Sequence, residues 1–164
     1  MSELILPRTG ILAFMDDESR EQFAAYGNVL ATTAGQVVIA EGQPNTSLYI
    51  VVSGTFNVTT QGSNSEVRLD IVGAGDCLGE VAVFQPGAAS ATATSVGEGQ
   101  LWFIDVDNFQ QFLIDYPFAG CAAILGVDTI LSRRLKRANQ IIRSNEILPT
   151  FLSCRKRAAV PAAK

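Results

Sequence analysis

The densest chemical signal in this chain of 164 residues is Leu78-Gly79-Glu80-Val81-Ala82-Val83, followed a few residues on by Ala89-Ser90-Ala91-Thr92. Glycine at 79 lets the backbone come close to a ligand. Glu80 offers a carboxylate that accepts hydrogen bonds from hydroxyl groups. The amides of Val81 and Ala82, opening a short helix, would favour an anion, and Ser90 would add a hydroxyl. These groups suit binding better than bond breaking.

Composition argues the same way. The chain has no histidine, so the commonest metal ligand and the usual neutral-pH base are both missing. Cupin-type metal sites and Ser-His-Asp triads are thereby disfavoured. Asp16, Asp17 and Glu18, or Asp105 and Asp107, are spaced like acid and base pairs, but helix capping explains them better. Neither GxGxxG nor GxxxxGK[ST] occurs. Cys77, Cys121 and Cys154 lack CxxC spacing, and the first two read as buried thiols. The expectation is a non-enzymatic protein with no metal and no cofactor.

Charge is unevenly placed. Arg8, Arg20 and Arg68 are the only cations before residue 133, against fifteen of the sixteen acids. Residues 133–164 carry the other nine cations and one acid, Glu146. An acidic body followed by a basic segment suits self-association, a protein partner or a nucleic acid. The start MSELILPRTG is no secretion signal, and no apolar run is long enough to span a membrane. A cytoplasmic protein with no membrane contact is expected.

The elements that must position Gly79 and Glu80 are short. Asp16 or Asp17 caps a helix that Gly27 stops. Between Gly35 and Asp105, runs at 36–39, 47–52, 55–60, 67–72, 90–94 and 101–105 read as antiparallel strands. In the 67–72 run, Val67, Leu69 and Ile71 share a face expected to be buried, with Arg68 outward. Asp107 can cap a next helix bearing Phe109 and Phe112. Asp115 and Pro117 then open a longer one to about Asn145, where Pro149 ends the pattern. Gly126 weakens it locally. Ile124, Val127, Leu131, Leu135, Ala138 and Ile142 form its apolar stripe, read as a homodimer interface. Residues 1–146 form one domain and 147–164 a basic, flexible tail. The fold class is mainly β with flanking helices: a jelly-roll or double-stranded β-helix roll with a long C-terminal helix.

The stretches GQVVIAEGQPNTSLYIVVSG, VGAGDCLGEVAVF and AASATATSV together resemble the cyclic-nucleotide-binding domain family. That family includes the sensor domain of bacterial catabolite activators and the regulatory subunits of cyclic-AMP-dependent kinase. The likeness runs from about Phe14 to Arg143. It matches Gly42, Gly54 and Gly75 to turn glycines, and implies a ligand, cyclic AMP or cyclic GMP, held beside Gly79, Glu80, Val81, Ala82, Ala89 and Ser90. Glu80 would meet the ribose 2'-hydroxyl and Asn139 the purine. At position 89 the resemblance expects an arginine paired with the phosphate, and this chain has alanine. That implies weakened binding.

The reading is therefore a stand-alone regulatory module that signals through its C-terminal helix. A degenerate, non-binding homodimeric scaffold is the alternative. Direct DNA reading is not expected, since 22 residues follow Ile142.

Overall fold

Asp16 opens the first helix as the sequence suggests. Its carboxylate accepts the Ser19 N–H at 2.8 Å, and these hydrogen bonds hold the carboxyl below its ordinary range. Helix α1 then runs Asp17–Ala24. A Cβ at Gly27, just beyond it, would overlap the Trp102 ring and the Phe103 carbonyl. The computed structural model describes residues 6–63 and 65–155, without the side chains of 141, 142 and 144–155.

Among the described residues ten strands follow: β1 Asn28–Thr32, β2 Val37–Ile39, β3 Pro44–Asn45, β4 Ser47–Ser53, β5 Phe56–Gln61, β6 Glu66–Val72, β7 Cys77–Leu78, β8 Gly87–Ala88, β9 Thr92–Ser95 and β10 Gly99–Asp105. They form two four-stranded sheets, β1-β10-β4-β7 and β2-β9-β5-β6, and a two-stranded ribbon, β3-β8. All pairings are antiparallel. Val51, Leu78 and Leu101 from the first sheet meet Ile39, Phe56, Val72 and Ala93 from the second in one buried cluster. Two sheets closing on a shared apolar layer make the expected roll.

The first sheet is buried on its other face too. Trp102 pairs with Ile50 and Ile104 with Leu48, and cross-strand partners share a face. Phe23 of α1 stacks against Trp102, with ring centroids 4.8 Å apart. Phe109 and Phe112 complete the aromatic cluster from α2, Val106–Asp115. Its cap is Asp105, which accepts the Asn108 N–H at 2.8 Å. Asp107, the expected cap, lies two residues further in, within the first turn.

Strand β6 departs from expectation. Val67, Leu69 and Ile71 are 46%, 46% and 50% exposed. The strand stands at a sheet edge, and its register on β5 slips so that Asp70 faces Val58 while Arg68 faces Thr59, with Leu69 unpaired between them. Such a bulge reverses the alternation midway. Arg68 is exposed, as expected.

Helix α3 starts at Pro117 as foreseen but continues to Arg155. Pro149, expected to end the helix, lies within it. Residues 147–155 of the expected tail are thus helical, and 156–164 lie outside the described residues. Contacts divide the chain into units Met1–Val127 and Asp128–Lys164.

Several side chains of α3 also differ from expectation. Val127 is fully buried, as is Ala123 one turn before it; it belongs to the first unit's own core and leaves the expected interface. Gly126 is a close-approach site, since a Cβ would overlap the Ile11 backbone. Cys77 is buried, whereas Cys121 is exposed. The Cys154 side chain lies outside the description.

Candidate ligand-binding site

Gly79 leaves β7 with φ +70, a backbone region that favours glycine. A Cβ there would stand 2.6 Å from the Ser47 carbonyl oxygen, 2.7 Å from Asn45 Nδ2 and 3.2 Å from Ile39 Cδ1. Close approach is therefore needed by the protein's own β3–β4 corner. Asn45 shapes that corner: Nδ2 donates to the Ser47 carbonyl at 3.0 Å, and Oδ1 accepts the Ser47 N–H at 3.3 Å.

After Gly79 the chain makes turns, not the short helix expected. Ala82 N–H donates to Gly79 O at 3.0 Å, and Gln85 N–H to Val81 O at 2.8 Å. The Ala82 amide is already engaged within the turn. Ala82 and Val83 are buried and anchor the segment, while Val81 is 48% exposed. Glu80 is 6% exposed. A carboxylate held inside at such a turn is unlike a solvated loop acid, because burying an ionised group is costly without polar company.

Ala89 lies at the end of the β3–β8 ribbon. Its N–H donates to Gln43 O and its carbonyl accepts from Gly42 N–H, both at 2.8 Å. The half-buried methyl packs on the inter-sheet cluster. Ser90 is exposed. Beyond it, Thr92 Oγ1 accepts the Glu41 N–H at 3.1 Å.

Residues 39–47 thus form a shared base, gripping Gly79 at one end and Ala89 at the other. Sequence reasoning missed the roles of Glu41, Gln43 and Asn45 there. The available signal was the turn dipeptide pattern around Gly42 and Pro44. Glu41 Oε1 accepts from the Thr60 hydroxyl at 2.7 Å and Oε2 from the Gln61 N–H at 2.9 Å. Those bonds hold its carboxyl below the ordinary glutamate value.

Position 89 brings no positive charge to the site. Arg8 and Arg68 are exposed, and Arg20 is tied to Asp17 and to the Leu6 carbonyl. Gly79 and Ala89 both meet the 39–47 segment, and Glu80, Val81, Ala82 and Ser90 are their neighbours in the chain. Asn139 is exposed on α3 in the second unit. Among the described residues, no group of three or more Cys, Asp or Glu could hold a metal ion, and no helix is long and apolar enough to cross a membrane.

A family model described as the cyclic nucleotide-binding domain matches residues 30–116. A CRP-like cAMP-activated global transcriptional regulator of Mycobacterium tuberculosis is 29% identical over 136 residues, covering 82% of this chain and 59% of the regulator. The chain therefore spans under two thirds of that relative. The N-terminal domain of a transcriptional regulator from Streptomyces coelicolor A3(2) superposes with TM-score 0.69 at 26% identity, over 85% of this chain and 95% of that one. The regulatory domain of Toxoplasma gondii PKA, crystallised with cAMP, gives TM-score 0.59 at 29% identity, over 66% and 41% respectively.

Proposed function

This chain belongs to the cyclic nucleotide-binding domain family, and from that premise we propose that it is a non-enzymatic regulatory module whose β-roll receives a cyclic nucleotide beside Gly79 and Glu80. The observation that carries the reading is the burial of Glu80, 6% exposed, immediately after a glycine of φ +70. A buried carboxylate can accept a ribose hydroxyl in a site of low dielectric, where that bond is strong. The Val81 amide and the Ser90 hydroxyl serve the phosphate, since the Ala82 N–H is bonded to Gly79 O. The similar regulatory domain of PKA crystallised with cAMP and the cAMP-activated regulator support cyclic AMP as the first ligand to test, with cyclic GMP beside it.

The output element of this reading is α3. Ile124, Leu131, Leu135 and Ala138 keep apolar surface exposed or half-buried, and a second copy would cover it. The Ile142 side chain lies outside the described residues. Ligand would change how the two helices pair, or what protein partner they meet.

Ala89 favours a second reading, a roll kept as a homodimeric interaction scaffold without ligand. Its methyl sits on apolar side chains, where phosphate finds no cation. Calorimetric titration of cyclic AMP into wild type and Ala89→Arg separates the two. A ligand site predicts weak wild-type binding, strengthened about 10- to 100-fold by the arginine, the worth of a charge-assisted pair of ~1.5–3 kcal/mol. No binding by either protein supports the scaffold.

A further inference from the structure

We infer that the ligand this roll takes best is an uncharged ribonucleoside, and that a cyclic phosphate on the ribose weakens binding. The inference rests on the reading of Gly79 and Glu80 as the corner that meets the sugar, and it concerns the opposite end of the ligand.

The donors that would serve a phosphate are mostly engaged within the fold. Ala82 N–H is bonded to Gly79 O, and Ala89 N–H to Gln43 O. What remains is the Val81 amide and the exposed Ser90 hydroxyl, both uncharged. The side chain at 89 is a methyl packed on the cluster that includes Ile39, Leu78 and Ala93, so the wall there is apolar. A phosphodiester anion placed against that wall loses water and meets no opposite charge, which costs binding energy.

Charge points the same way. The unit Met1–Val127 holds Arg8, Arg20 and Arg68 against fourteen of the sixteen acids, and Arg20 is tied to Asp17. Two of those acids belong to the frame of the site: Glu80 follows Gly79, and Glu41 donates its N–H to Thr92. Hydrogen bonds from Thr60 and Gln61 hold the Glu41 carboxyl below its ordinary range, so it is ionised at neutral pH. Such a field repels an anion and leaves a neutral ligand unopposed. The 3'- and 5'-hydroxyls that a cyclic phosphate would join carry no charge, and the Ser90 hydroxyl and Val81 amide suffice for them.

The test is calorimetric titration of adenosine, 2'-deoxyadenosine and cyclic AMP into the full chain, wild type and Ala89→Arg. On wild type, adenosine should bind roughly three- to tenfold tighter than cyclic AMP. Raising salt from about 50 to about 500 mM should narrow that gap, because screening relieves only the charged ligand. Ala89→Arg should reverse the order, since a charge-assisted pair rewards the phosphate alone; circular dichroism checks that the variant keeps its strands. The wild-type comparison decides the matter by itself. Cyclic AMP binding tighter than adenosine to wild type overturns the inference and leaves the roll a cyclic-nucleotide receptor. Equal binding of adenosine and 2'-deoxyadenosine overturns the ribonucleoside class. No heat from adenosine or cyclic AMP at millimolar concentration removes the inference together with the receptor reading on which it rests.

Discussion

Glu41 and Glu80 show how differently two carboxylates can serve one roll. Glu41 is a strut: its side chain holds Thr60 and Gln61 while its backbone N–H reaches Thr92. Because the folded carboxyl titrates below the ordinary value of 4.5, its stabilisation is complete above that value and fades as pH falls through the lower folded value. The gap in Tm between wild type and Glu41→Gln should therefore be widest at about pH 5 and above and close on further acidification. A gap that stays constant across that range would remove the carboxylate from the account. The place of Glu80 was legible from the flanking LGEVAV run, whereas its burial was not. Burial depends on which loops fold over a residue, and Ile39–Ser47 are distant in the chain.

At the scale of elements, α3 carries the main corrections. A period near 3.6 reports which positions are apolar, but it does not say whether they face the same chain or another. Val127 and Leu135 read alike in sequence; one is fully buried and the other 63% exposed. Leu135→Glu should therefore leave the monomer folded and shift sedimentation from dimer to monomer. Wild type and variant sedimenting alike would end the role of α3 as a seam. Gly126 invites a test with an opposite sign under each reading. Helix propensity alone predicts that Gly126→Ala stabilises by about 1 kcal/mol. The Ile11 backbone occupies the space for a Cβ, and overpacking of that kind costs roughly 1–3 kcal/mol. Urea denaturation should show a net loss; a gain would mean that the contact yields easily. Strand β6 explains a further miss, since a one-residue bulge at Leu69 leaves no mark in an alternating pattern. The same edge is blunted by Asp70, whose carboxylate accepts the Ile71 N–H at 2.9 Å, a device that discourages further strand pairing.

For the whole molecule, the sheet architecture was legible and its closing contacts were not. Gly42, Gly54 and Gly75, matched to turns in the sequence, all have positive φ. Six of the strands stand where short apolar runs suggested, while β1, β3, β7 and β8 escaped notice. Three of those four are two-residue pairs, too short to show any period. Yet the β3–β8 ribbon is what brings Ala89 against Gly42 and Gln43, so the candidate site is assembled by the least visible elements. The charge division follows the contact division closely: an acidic roll up to Val127 and a basic second unit after it. The measurement that bears most directly on the roll as a receptor is isothermal calorimetry of cyclic AMP and cyclic GMP with wild type and Glu80→Gln. The account predicts saturable binding of one nucleotide per chain, about tenfold weaker when the carboxylate becomes an amide. Binding that Glu80→Gln leaves unchanged, or no heat from either nucleotide at millimolar concentration, would contradict it.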